Sequence, residues 1–119
     1  MSDNIKNNLP SITENLKSFN VTQSRVLDNY LLDVANNLYE LYEQCNELRL
    51  KAKTMAQKDV QELLAELIVL DKDMDMFYQV IISIEHEGKS IERIHDCLNL
   101  IDDEIKPLIS RLNKRIIKD

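Results

Sequence analysis

Residues 27–55 read LDNYLLDVANNLYELYEQCNELRLKAKTM. Apolar side chains recur there at Leu27, Leu31, Val34, Leu38, Leu41, Cys45, Leu48, Ala52 and Met55, in alternating steps of four and three. That spacing lays them along one stripe of an α-helix, the seam of a coiled coil. A narrow apolar stripe on a long helix is stable in water only when another helix covers it. The mode of action expected from this stretch is helix-on-helix association.

Composition points the same way. The chain has 119 residues, of which 44% are hydrophobic, enough for one domain with a core. It holds one glycine and two prolines, where a chain of this length averages roughly eight and six. Hairpin turns, phosphate-binding loops and sheet corners need those residues, so few turns, long helices and no strands are expected. The expected fold class is all-α, an elongated helical bundle or coiled coil of two or three long helices. Residues 21–119 form this helical domain and residues 1–20 a flexible N-terminal segment that includes a short helix.

In that segment Pro10 is the punctuation mark, and Met1 to Leu9 are expected to be disordered. Ser11 and Glu14 have capping-box spacing, and Ile12, Leu16 and Phe19 form one face of the short helix, which is marginal by itself. Thr22 is the expected cap of the main helix, with Val21 folding back on Val26. A helix from Gln23 to Gln57 would be about 50 Å long. Tyr30, Tyr39 and Tyr42 lie beside the seam, where Tyr39 and Tyr42 can widen its contact face.

After Met55 the next seam position is Asp59, and the apolar pattern resumes at Val60. A skip in one continuous helix and a turn near Gln57 and Lys58 both fit. The turn is favoured, with Asp59 capping a new helix and Glu62 completing a capping box, because a hairpin lets the chain cover part of its own seam. The new helix carries Leu63, Leu67, Leu70, Met74, Phe77, Ile81 and Ile84 on its stripe, flanked by Leu64, Ile68, Val69, Met76, Tyr78, Val80 and Ile82. Its apolar face is broader than a two-stranded seam requires, which implies that other chains join the bundle. Gly88 marks the clearest break, and Ser90 can cap the next helix. That helix runs through Ile91, Ile94, Leu98, Ile101, Ile105, Leu108, Leu112 and Ile116, with a kink or short break near Lys106 expected from Pro107.

The net charge is −6, and residues 59–88 carry eight acids against one base. An acidic chain without basic clusters facing aromatics is a poor candidate for direct nucleic-acid binding. No apolar run is long enough for a membrane span or follows a basic start as in a signal peptide. Cys45 and Cys97 fall on apolar helical positions and read as buried reduced thiols of an intracellular protein, cytoplasmic or nuclear.

Reactive constellations fail one by one. Glu85 and Glu87 flank His86 but point away from it, and His95 lies across a break. Asp71, Asp73 and Asp75 imitate the opening of a calcium loop, yet Met76 and Ile82 occupy the positions that need Gly and Glu. These acids read as a solvated face, or as a contact for a basic partner or the chain's own basic tail, which contains Lys106, Arg111, Lys114, Arg115 and Lys118. No catalytic, cofactor-binding or metal-ligating residue is expected, and the chain does not read as an enzyme.

In organisation the sequence resembles the small helical subunits of vesicle-adaptor complexes, of kinetochore assemblies and of transcriptional bridging complexes. Among these the sequence leans toward subunits of the complex for biogenesis of lysosome-related organelles, short chains dominated by one or two long helices, which it resembles in organisation. The seam, the broad second helix and the lack of a reactive site point to a structural or adaptor subunit of a hetero-oligomer whose partners are other helical subunits. Its interaction seam would be the stripe from Leu27 to Met55 together with that from Leu63 to Ile84. The alternative is a self-contained acidic regulator, an inhibitor or chaperone, that binds a basic protein surface.

Overall fold

A computed structural model of the chain describes residues 5–18, 24–84 and 89–117. The described residues are all-α. Helix α1 spans Leu9–Lys17, α2 Ser24–Lys51, α3 Gln57–Ser83 and α4 Lys89–Ile117, with one 3-10 turn, Ala52–Thr54, closing α2. Thr22, Val21, Phe19 and Gly88, which the sequence reads as a cap, a staple, part of a helix face and a break, lie outside the described residues, as does His86.

The long helices follow their apolar stripes. On α2 the buried positions are Leu27, Leu31, Val34, Ala35, Leu38, Leu41, Cys45 and Leu48, and on α4 they include Ile94, Cys97, Leu98, Ile101, Ile105, Leu108 and Leu112. These two stripes face each other in the largest interface of the fold. Their register runs in parallel. The Ser90 hydroxyl donates to Asp28 Oδ1 at 2.7 Å, the Cys97 thiol to the Ala35 carbonyl at 3.7 Å, and Arg49 Nε to Glu104 Oε2 at 2.8 Å. At the far end Arg115 donates to the carbonyls of Ala52 at 2.6 Å and Met55 at 3.0 Å. A helix leaves its last carbonyls without internal partners, and here a guanidinium from α4 satisfies them.

Parallel neighbours need a return element, and α3 supplies it. Lys106 on α4 meets Asp71 on α3 at 3.4 Å, and the Tyr78 ring stands edge-on to His95 with centroids 5.7 Å apart, so α3 and α4 are antiparallel. Val60, Leu63, Leu64, Leu67, Leu70, Met74, Phe77 and Ile81 form its buried side. Helices α1 and α4 each bridge α2 and α3. From the α1 side, Asn7 Nδ2 donates to Asp73 Oδ2 at 2.7 Å, the Lys6 amide to Gln44 Oε1 at 3.1 Å and Asn15 Nδ2 to the Tyr30 hydroxyl at 3.2 Å. The result is a rod-like bundle of 55 × 24 × 19 Å. Its radius of gyration, 15.8 Å, exceeds the roughly 13.5 Å of a compact domain of this length.

Several sequence expectations shift. The segment expected to be flexible holds a helix whose Leu9, Ile12 and Leu16 belong to the same core as the long helices. Burial at roughly 1.5–3 kcal/mol per side chain offsets the ordering cost that makes so short a helix marginal alone. Its first turn begins at Leu9 with Pro10 just inside, so Ser11 is no cap; the Leu9 amide instead donates to Asn7 Oδ1 at 3.1 Å. The main helix stops at Lys51, not Gln57, and the turn occupies residues 52–56. Ala56 takes the cap position of α3 without a side-chain bond, which leaves Asp59 within the first turn, where its charge favours the helix N-terminus. Ser90 sits inside α4, buried, and bonds across to α2. Helix α4 passes through Pro107 without a break. Pro107 and Asp103 are both exposed, so water can solvate the Asp103 carbonyl that has lost its donor.

Candidate interaction surface

The predicted seam is brought together, and the chain itself covers it. Leu27, Leu31, Val34, Leu38, Leu41, Cys45, Leu48, Leu63, Leu67, Leu70, Met74, Phe77 and Ile81 are all buried, while Met55 and Ile84 are partly buried against the same core. The covering elements are α4, which the sequence showed as a third apolar stripe, and the short α1. Periodicity states that a stripe needs a cover but carries no label for which helix supplies it.

What stays uncovered is the other side of α3. Ile68, Val69, Met76 and Ile82 are each more than half exposed. At about 100° per residue they share, with Ala65, Lys72, Asp75 and Gln79, an arc of about 140° that points away from Leu67, Leu70, Met74 and Phe77. All eight are exposed. Single exposed apolar residues are ordinary, whereas four large ones grouped on one helical face form a contiguous apolar patch. Val26, Tyr39, Leu50 and Leu100 are also exposed, but they are spread along α2 and α4 rather than grouped. The excess apolar residues of the second helix thus divide: Leu64 enters the core, Val80 packs at its edge, and Ile68, Val69, Met76 and Ile82 remain on the outside.

The polar groups are chiefly engaged in holding helices together. Asp71 raises the Lys106 ammonium above its ordinary range, with Asp102 adding to it, as expected of a cation that faces two carboxylates. Asp73 accepts from Asn7, so two of the three acids of the 71–75 run bind the chain's own residues. Burial pushes the Cys45 thiol up to about 12, assisted by the Glu104 carboxylate, and burial also raises Cys97. A thiol held protonated in this way is a packing group rather than a nucleophile. His95 lies against Tyr78 at the bundle boundary. An open cleft of about 360 Å³ runs between Lys6, Asn8 and the α2 residues Glu40, Glu43 and Glu47. Among the described residues no cluster of three metal-ligating side chains occurs, and no buried side-chain polar atom lacks a hydrogen bond. No described helix is long and apolar enough to cross a membrane.

No family model, curated protein or solved structure matches the chain.

Proposed function

We propose that this chain is a non-enzymatic structural or adaptor subunit that works by helix-helix association inside the cell, and that its docking surface is the outer face of α3. The observation that carries this reading is the grouped exposure of Ile68, Val69, Met76 and Ile82 on a helix whose opposite side already fills the core. Leaving such residues in water forgoes the roughly 25 cal/mol per Å² that burial against another helix would return. Helical subunits of a larger assembly are the natural partners, as in the vesicle-trafficking, kinetochore and transcriptional bridging complexes that the sequence resembles in organisation. The alternative, an acidic regulator of a basic protein, has less support, because Asp71 and Asp73 are occupied by Lys106 and Asn7.

The test is affinity purification of the full chain beside an Ile68→Glu, Met76→Glu variant, read by mass spectrometry. Helical proteins recovered in stoichiometric amount with the parent chain are expected to be lost with the variant, while its circular dichroism and melting temperature stay unchanged. Equal recovery by both chains would contradict the reading.

A further inference from the structure

The outer face of α3 carries a charge pattern as well as an apolar one. Lys72 lies at its middle with Asp75 one turn further on, between apolar residues at Ala65, Ile68 and Val69 on one side and Met76 and Ile82 on the other. Lys72 is exposed and has no ion-pair partner among the described residues. A heterologous helix could present any residue to it. A second copy of the same face presents a particular one.

We infer that a second copy of the chain occupies the outer face of α3, the two helices antiparallel about a two-fold axis midway between residues 73 and 74, so that Lys72 of each copy meets Asp75 of the other. In this arrangement the single axis accounts for the rest of the face. Ala65 comes opposite Ile82, Ile68 comes opposite the aliphatic stem of Gln79, and Val69 lies alongside Met76. Each contact occurs twice, as an isologous interface requires. Every large apolar side chain exposed on α3 then finds a counterpart, except Tyr78, which already packs against His95 on the α4 side. Sliding the helices by one turn would set Lys72 against the uncharged Gln79 or against the other Lys72, so the paired charges favour this register. The hydrogen bonds and ion pairs from α1 and α4 to α3 go to residues outside this face, Asp73 toward α1 and Asp71 toward α4; Asp75 adds only a weaker charge interaction with Lys106, and its exposed carboxylate stays open to a second copy.

This inference rests on the reading of the α3 face as a docking surface and makes the helical subunit seated there a second copy of this chain. The experiment is sedimentation equilibrium of the full-length chain over a range of concentrations, with Lys72→Asp, Asp75→Lys and the double variant. Both positions are exposed, so all four chains are expected to keep the same helicity. The parent chain is expected to reach twice its 13.9 kDa mass. Each single variant places like charges opposite each other at two symmetric points and weakens dimerisation by at least about tenfold. The double variant restores opposite charges and returns the dissociation constant to within a few-fold of the parent. A parent chain that is monomeric at every concentration overturns the inference, as does a dimer indifferent to the single changes or a double variant that fails to recover. The docking-surface reading stands or falls separately: it survives a monomeric parent if Ile68→Glu, Met76→Glu still releases other helical proteins, and falls if it does not.

Discussion

At the scale of single residues, several described side chains act in packing and end-capping. Arg115 shows it best, since its guanidinium reaches two carbonyls at the end of α2 and its own carbonyl accepts from Gln57 Nε2 at 3.4 Å, which ties three helices at one point. Cys45 shows it electrostatically. In the unfolded chain the thiol ionises near its ordinary 9.0, whereas in the fold its pKa is about 12. Between these values the folded state holds the proton that the unfolded state has lost, so stability falls as pH rises through that window and the contribution is complete below it. Urea midpoints of the parent chain are therefore expected to drop more steeply above pH 9 than those of Cys45→Ala. A parallel decline in the two chains would contradict the assignment. Neither thiol is expected to react with a disulfide reagent until the chain unfolds.

Among the elements, the three long helices were legible because their apolar period is sustained over 28, 27 and 29 residues. Their ends were not. Sequence signals put caps at Ser11, Asp59 and Ser90, yet the first turn of α1 is set by Pro10 and Asn7, and Ser90 is drawn into the bundle by Asp28. Local cap chemistry competes with tertiary partners, and a sequence displays only the first. Pro107 teaches the same lesson in reverse, because solvent on its face of α4 relieves the fault that a buried proline would create. Helix α1 is the element that depends most on its neighbours. With Leu9→Ala and Leu16→Ala combined, the loss of buried volume, about 2–5 kcal/mol per site in a well-packed core, exceeds what nine residues can hold. Backbone amides of α1 are expected to exchange with deuterium rapidly in that variant while those of α4 keep their protection. Faster exchange spread evenly over both helices would show that α1 is not a separable cover.

For the whole molecule, the decisive point is which surface is inside. The sequence made the stripe from Leu27 to Met55 evident and left open whether its cover came from this chain or another. The parallel pairing of α2 with α4 answers that within one chain, and it could not be read in advance, because contacts separated by some sixty positions leave no local signature. The side of α3 that stays exposed carries part of the apolar excess visible in the sequence, and the proposed docking surface lies there, whereas the sequence reading put its interaction seam on the stripes from Leu27 to Met55 and from Leu63 to Ile84. The candidate surface was thus legible as a surplus but not as a location. Thermal unfolding of Leu38→Asp, followed by circular dichroism across a range of protein concentrations, tests this inside-out assignment most directly. Leu38 is 1% exposed, and an unpaired charge there costs about 4 kcal/mol or more, a large share of the 5–15 kcal/mol that holds a typical domain together. The expected result is a collapsed or absent helical transition at every concentration; a variant that melts like the parent chain and loses only its ability to assemble would mean that the stripe is an interface between chains after all.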